Sequence, residues 1–315
     1  MTIEFTRHDR ILVTGAGGML GGAIARILQE TSDATILAPR RSELDLVDTD
    51  AVHRFFQTMQ PTHVFHPAAK VFGLGGNTRF PAQMYFENTM INTNVIDAAR
   101  QAGTSKISGV GTGCVYPVKY DGQYLREEQI WDGPPHGSEW AYAQAKRGML
   151  TQLDAYREQY GIDYAYPICG NLYGPNDLFD VEYGHVIPSL VAKFHSANQQ
   201  GSAVTVWGTG AAVRDFSYVD DAARAIITAH KSMSGPVNVA SGNVHAIRDV
   251  VEILDELTGH SLKIDWDRSK PDGQGRRYYD LGKLASIGFK SEYNLKDGIQ
   301  MTWDWYKTNY PNVRS

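Results

Sequence analysis

The chain has 315 residues, 42% hydrophobic and 21% charged, which is enough apolar content for a sizeable core in one large domain or two modest ones. Its net charge of −5 argues against a general nucleic-acid binder, and its apolar runs are far too short to span a bilayer, so neither nucleic acid nor membrane is expected as a partner. The two cysteines, Cys114 and Cys169, exclude a disulfide scaffold and lack metal-type spacing, so no metal site is expected; the charged opening stretch, Met1 to Arg10, lacks an apolar signal core, and the sequence reads as cytoplasmic.

The elements begin with a short apolar run of strand character at residues 10–13, followed by helical apolar spacing at Leu20, Ala23, Ile24, Ile27 and Leu28. Between them stands Thr14-Gly15-Ala16-Gly17-Gly18-Met19-Leu20-Gly21, a glycine turn with spacing G-x-x-G-x-x-G in the strand–turn–helix setting of a dinucleotide site. Gly15 is expected to allow the tight turn, Gly18 to let the backbone approach a pyrophosphate, and Gly21 to pack the helix on the sheet. Gly17, Met19 and Leu20 belong to the same cofactor-binding turn, and the helix amino end would face the phosphates.

Further strands are predicted at 35–38, 63–66, 106–110 and 163–168, with helices at 48–59, 87–101 and 142–160. This alternation implies an α/β fold built on a doubly wound parallel (Rossmann-type) sheet covered on both faces by helices. After Pro175 the chain is richer in loops as far as Phe216; residues 220–230 are helical again, opened by Asp220 and Asp221, and 236–240 reads as the last strand of the main sheet. The expected division is a dinucleotide-binding domain of residues 1–172 and 217–244, and a second, smaller, discontinuous mixed α/β substrate domain of residues 173–216 and 245–315. A ligand crevice is expected between the two, at the carboxyl ends of the strands.

The chemistry is carried by Tyr142-Ala143-Gln144-Ala145-Lys146. Residues four apart on a helix share a face, so Tyr142 and Lys146 can address one bound molecule. An ammonium beside a phenol is expected to favour the phenolate and lower its pKa, making Tyr142 usable in proton transfer near neutrality. With the glycine turn, the pair points to hydride chemistry on an alcohol or ketone. The second strand runs into Ala38-Pro39-Arg40-Arg41 with no carboxylate at its end, and two arginines suit a phosphate, so NADP (NADPH) is expected in preference to NAD. Asp45 and Leu46 would flank the adenine, while Asp48 could do so or cap the next helix. Cys169 is read as core, His63 and His66 as structural, and Trp303, Trp305 and Tyr306 as packing residues.

Several motifs carry a resemblance that spans essentially the whole chain: Ala68-Ala69-Lys70-Val71, Gly113-Cys114-Val115-Tyr116-Pro117, the Tyr142 pentapeptide, Asn171-Leu172-Tyr173-Gly174-Pro175, His185-Val186-Ile187-Pro188, Val206-Trp207-Gly208-Thr209-Gly210, Arg214-Asp215-Phe216 and Ser269-Lys270-Pro271-Asp272-Gly273. The chain resembles the extended short-chain dehydrogenases, the NAD-dependent epimerase/dehydratase family, and within it the branch that epimerises and reduces GDP-4-keto-6-deoxy sugars. The resemblance implies that Tyr142 protonates the oxygen formed at C4, that Lys146 binds the nicotinamide ribose, and that Thr112 stands where the family has a serine hydrogen-bonding the substrate carbonyl. It implies that Cys114 and His185 are the base and acid that invert carbons next to the ketone, and that Ala68 and Lys70 line the cofactor. Asn171, Lys193, Trp207, Arg214 and Lys270 would bind the GDP-linked sugar, and the family implies a homodimer pairing helices 87–101 and 142–160.

The segments 72–80 and 134–140 depart from the family pattern and would border the sugar, leaving hexose or heptose open. One alternative is a nucleotide-sugar 4-epimerase that holds NAD tightly without net reduction. Another, of a different class, is a non-catalytic dinucleotide-sensing binding protein.

Overall fold

Along β1 (Arg10–Val13) the side chains alternate between two cores: Ile11 and Val13 enter one, and Leu12 the other. The same split recurs in β3 (His63–His66), where Phe65 and Val64 point to opposite faces. A strand buried on both sides needs helices on both sides, and the computed structural model, which describes residues 2–71, 78–120, 122–269 and 277–315, supplies them. One face is covered by α1 (Met19–Thr31), packed against a later helix of residues 219–232. The other is covered by α2 (Thr49–Met59), α3 (Pro81–Gln101) and α4 (Trp140–Tyr160).

With β2 (Thr35–Leu37), β4 (Lys106–Gly109), β7 (Asp163–Cys169) and β11 (Gly235–Val239), the main sheet has the order β2-β1-β3-β4-β7-β11, and the short β5 (Gly111–Thr112) continues alongside β7. All of these pairings are parallel. The chain leaves β1 in one direction to reach β2 and in the other to reach β3, so a crevice opens at the carboxyl ends of β1 and β3, where a doubly wound sheet takes its ligands.

The remainder builds small sheets beside this one. β8 (Asn171–Tyr173), β10 (Val213–Tyr218) and β12 (Val244–Ala246) pair in the order β12-β10-β8; β9 (Val204–Trp207) pairs with β13 (Ile264–Asp267); and β6 (Tyr124–Leu125) pairs with β14 (Tyr278–Tyr279). The helices here are α5 (Val186–Gln200), α6 (Val219–Ser232), α7 (Ile247–Leu257), α8 (Gly282–Ser286) and α9 (Leu295–Asn309). Asp220 and Asp221 do lie in the first turn of α6, and Asp221 also accepts backbone N–H groups of Glu292 and Tyr293. Asp48 is the N-cap of α2, accepting the Ala51 N–H at 2.9 Å. Trp303 and Tyr306 are buried and Trp305 stacks on Phe179, as packing residues should.

Two elements differ from the sequence expectation. α3 starts at Pro81 rather than residue 87, because proline fits a first helical turn, and exposed Tyr85 and Phe86 blur the apolar stripe there. α5 fills part of the stretch expected to be loop. No helix among the described residues is long and apolar enough to cross a membrane.

Histidines stiffen the centre. The His66 ring is fully buried, with Nδ1 2.8 Å from Thr14 Oγ1 and Nε2 3.2 Å from Asn92 Oδ1. His63 Nδ1 meets His230 Nε2 at 3.1 Å, and Ser108 Oγ lies 2.8 Å from His230 Nδ1. Burial depresses all three rings, His66 to about 3, with nearby lysines pushing the same way. Between pH 3 and 6.5 the unfolded chain therefore holds protons that the native rings refuse. The native advantage is full above that window and is lost as the pH falls through it. His66 alone should contribute up to about 5 kcal/mol of this dependence. Thermal melting across pH 4–7 should show a steep fall in Tm on acidification, and His66→Gln, which keeps polar contacts without a titrating ring, should flatten the slope.

Candidate active site

The turn after β1 is shaped by contacts that leave no room for side chains. Gly15 has φ +63°, and a Cβ there would lie 3.0 Å from Ala68 Cα; a Cβ on Gly21 would be driven into the Gly15 carbonyl. Thr14 donates its N–H to Phe65 O at 3.0 Å, and its hydroxyl accepts the Ala68 N–H at 3.3 Å while meeting His66. His66, read from sequence as merely structural, thus sets the head of the glycine turn against the loop after β3. That loop is fastened further along by Asn88, whose amide accepts from the Lys70 N–H and donates to its carbonyl, each at 3.0 Å. Ala68 and Lys70 are accordingly both in the wall beside the turn, with Lys70 Nζ 3.7 Å from Glu87.

Gly18 is the N-cap of α1 and provides no side chain to its free N–H groups; the first turn has no acidic residue. Gly17 faces open space, while Met19 and Leu20 pack partly into the core below. An uncapped helix amino end with an open approach fits an anion. A cation stands there too: Arg314 Nη1 lies 3.8 Å from where a Gly18 Cβ would be, held by donating to Asn176 O at 3.1 Å, while the Arg314 carbonyl accepts the Phe179 N–H at 2.7 Å. Sequence gave no sign of it, since nothing in a lone arginine nearly 300 residues from the turn predicts their meeting.

Arg40 and Arg41 occupy an exposed turn just past β2, whose Leu37 pairs with Leu12 of β1. Neither enters an ion pair among the described residues, and the nearby Glu43 carboxylate is engaged by the Arg40 backbone N–H at 2.7 Å. Asp45 accepts the Val47 N–H, so its carboxylate shapes the turn, and the Leu46 carbonyl accepts from Asn94. This donor set suits a dinucleotide carrying an extra phosphate.

Beside this crevice, α4 presents Tyr142 and Lys146 on its buried face. Lys146 Nζ donates to Val110 O at 2.8 Å and lies 5.9 Å from the centroid of the Tyr142 ring. Burial brings Lys146 down to about 8. The expected lowering of the Tyr142 pKa is not what the structure gives: burial, then the neighbouring Cys114, Cys169 and Glu139, push the phenol up. At nearly 6 Å from the ring centre, with its proton donated to a carbonyl, the ammonium is outweighed by desolvation. Tyr142 is therefore a neutral phenol, a donor rather than a phenolate. Cys169 is core as expected, its thiol raised to about 12.

Thr112 ends β5, and its hydroxyl accepts the Cys114 N–H at 3.4 Å, capping the short turn of residues 113–115. The Tyr279 hydroxyl is pressed so close to Gly113 that a Cβ could not be accommodated. This contact brings the lead-in to β14 beside the thiol: Arg277 Nη1 is 4.0 Å from Cys114 Sγ, and Arg277 Nη2 is 3.0 Å from Glu139 Oε2. Burial pushes the Cys114 thiol up to about 11, Glu139 adds to the rise, and Arg277 opposes it. Neither Arg277 nor Glu139 was singled out from sequence, although Glu139 lies in the unusual stretch before Tyr142.

His185 is the exposed N-cap of α5. It stands in the electrostatic reach of the Asp177 carboxyl, which is buried, raised by that burial, and has an Oδ2 without a hydrogen-bond partner among the described residues. The substrate candidates fall into two pairs. Lys193 Nζ sits 4.9 Å over the half-exposed Trp207 ring, in an open groove of about 410 Å³ that also includes Val181, Glu182 and Thr205. Asn171 and Arg214 lie on adjacent strands, with Asn171 Nδ2 donating to the Asp215 carbonyl at 3.3 Å. Lys270 and residues 72–77 of the divergent segment lie outside the described residues.

A glycine turn at the switch point of a doubly wound sheet, with a buried tyrosine and lysine one helical turn apart beside it, defines a dinucleotide-dependent oxidoreductase. The chain belongs to the NAD dependent epimerase/dehydratase family, whose model matches residues 11–240. It is 39% identical over 309 residues to GDP-L-fucose synthase 1 of Arabidopsis thaliana, covering 97% of this chain and 95% of the relative. The structure superposes on a GDP-L-fucose synthetase from Naegleria fowleri bound to NADP with a TM-score of 0.91 at 31% identity, covering 100% and 97% of the two chains. A GDP-6-OMe-4-keto-L-xylo-heptose reductase from C. jejuni is also similar, with a TM-score of 0.89, 27% identity and coverage of 98% and 100%.

The placement of Arg314 yields a measurable outcome. Arg314→Ala should weaken dinucleotide binding about tenfold, the worth of one charge-assisted contact, as read by fluorescence titration. Tm without cofactor should stay within about 2 °C.

Proposed function

We propose that this protein is an NADP-dependent epimerase and 4-reductase acting on a GDP-4-keto-6-deoxy sugar. The observation that carries the reading is the convergence of a neutral buried phenol and a crowded thiol beside a dinucleotide turn: Cys114 is near enough to Tyr142 to help raise the phenol's pKa. The relatives' names supply the substrate class, and the two arginines after β2, with no carboxylate at the strand end, support NADP over NAD. The same reading divides the chain into a dinucleotide-binding part, residues 1–172 and 217–244, and a sugar-nucleotide part, residues 173–216 and 245–315. It also takes the protein to be a cytoplasmic homodimer. α3 and α4 lie side by side and leave Tyr85, Phe86 and Tyr160 exposed, a surface suited to isologous pairing.

The dinucleotide, when bound, supplies hydride to C4 of the sugar. The residues do the rest. A C–H beside a ketone is acidic because its anion is an enolate, and inversion requires removing a proton from one face and returning it to the other. Cys114 takes it and His185 returns it. Tyr142 and Thr112 hold the ketone oxygen with their hydroxyls during this exchange, and Tyr142, kept neutral by burial, afterwards protonates the C4 oxygen. Lys146 binds the ribose that orients the reacting ring. Lys193 and Trp207 offer a cation and a flat face to the nucleotide.

The decisive assay offers NADPH with 4-keto-6-deoxy sugars linked to GDP, UDP, dTDP or CDP. One equivalent of NADPH should be consumed per GDP-sugar reduced, with little turnover of the others. A protein that retains NAD and consumes no added NADPH would instead be a 4-epimerase, and cofactor binding without turnover on any substrate would mark a sensor.

The two halves of the chemistry should separate by mutation. Cys114→Ser and His185→Asn should reduce solvent deuterium exchange next to the ketone at least about a hundredfold while sparing hydride transfer. Tyr142→Phe should lower reduction by about 10²–10⁴ and also slow the exchange, more mildly, because Thr112 still holds the ketone oxygen. Equal loss of both activities in the first two variants would contradict separate roles.

A further inference from the structure

Glu139 is the N-cap residue of α4, yet its side chain makes no capping hydrogen bond. It turns instead to Arg277, and both side chains of the pair are about four-fifths buried, at 18% and 19% exposed. A buried ion pair is weak evidence for stability, because desolvating both charges offsets most of their attraction. Its position suggests another use: the guanidinium touches Cys114 Sγ at 4.0 Å, and the carboxylate also reaches the thiol.

We propose that the Arg277–Glu139 pair controls when Cys114 gives up its proton, Glu139 receiving it and Arg277 stabilising the thiolate left behind. The step balances. The S–H bond breaks, an O–H bond forms on a Glu139 carboxyl oxygen, and the negative charge moves from oxygen to sulfur while the guanidinium stays beside both. The pocket holds one positive and one negative charge before and after, so the thiolate appears without a new uncompensated charge. The three groups therefore titrate together rather than singly.

The other groups that face the thiol among the described residues do not supply this. Tyr142 and Tyr279 are phenols held neutral by burial, and Thr112, which also hydrogen-bonds the thiol and eases it downward, brings neither a charge nor a proton acceptor of carboxylate strength. With burial and the ion pair both acting on it the thiol rests at about 11, so it serves as a base near neutral pH only where an adjacent acceptor takes its proton and an adjacent cation balances the charge left on sulfur. Tyr279 anchors the arrangement: its hydroxyl lies against Gly113 and its backbone pairs with Leu125, which holds the strand that Arg277 leads into beside the thiol. Arg277 and Glu139 are thus positioning residues, acting through Cys114. The inference rests on Cys114 being the epimerising base, and its test reads the thiol separately from the substrate.

The test is iodoacetamide alkylation of the protein without substrate, followed by mass spectrometry of the Cys114 peptide from pH 7 to 11. Glu139→Gln removes the like charge, so alkylation at pH 8 should become at least about fivefold faster, while deuterium exchange into the sugar, now lacking the acceptor, should slow at least about tenfold. Arg277→Met should slow both, and Arg277→Lys, which keeps the cation, should restore part of the alkylation rate and guard against a folding defect in the methionine variant. Opposite movement of alkylation and exchange in Glu139→Gln is the signature that a purely structural role cannot produce. Alkylation that shifts in the same direction in Glu139→Gln and Arg277→Met, or in neither, would overturn the proposal. If alkylation moves as expected but Cys114→Ser still exchanges deuterium, the pair's hold on the thiol stands and the assignment of Cys114 as base falls.

Discussion

The absence of two β-carbons holds the cofactor end of this molecule in shape. Gly21 passes directly under the Gly15 carbonyl, and Gly15, in a left-handed conformation, rests on Ala68. A side chain at either position would lift α1 from β1 and move the helix amino end away from the crevice. The contact is reinforced by Thr14, which meets His66, the Phe65 carbonyl and the Ala68 N–H at once. The turn is thus clamped from both strands that flank the switch point, and the position of the helix amino end follows from it.

Desolvation governs the neighbouring pocket. It raises Tyr142 and Cys114 and lowers Lys146, in each case toward the uncharged form. A pocket that resists charge favours chemistry in which charge is relocated rather than created. Both halves of the proposed reaction have this character: a neutral phenol meets a developing alkoxide, and a proton leaves sulfur for a carboxylate that already sits beside a cation. Low polarity also strengthens each hydrogen bond aimed at the ketone oxygen.

Much of this was legible in the sequence, for a physical reason. Strand and helix periods, the glycine spacing and the four-residue step from Tyr142 to Lys146 are local, and local patterns survive folding. Hence the main sheet, the helix carrying Tyr142 and the last strand at 235–239 were anticipated to within a residue or two, whereas the start of α3 was placed six residues late. What was not legible depends on distance. The Tyr142 pKa was misjudged because spacing shows that a lysine is near but not that burial outweighs it. Arg314 at Gly18, and Arg277 beside Cys114, join positions more than 150 residues apart. α5 was missed because Pro188 and the polar residues at its ends hide an apolar face formed by Ile187, Leu190, Val191 and Phe194.

The origin of each group separates the two chemistries. Tyr142, Lys146 and Thr112 all stand on α4 and β5, elements locked to the main sheet, and their geometry is fixed by its register. The groups proposed to serve epimerisation come from three less regular places: the short turn after Thr112, the amino end of α5, and the lead-in to β14. Two of these meet through side-chain contacts, Tyr279 on Gly113 and Arg277 on Cys114. A change in residues 134–140 or around 277 can therefore retune or abolish inversion while the reductive set remains in place. On this architecture a reductase that inverts nothing differs from one that inverts by the few residues around the thiol, not by the fold.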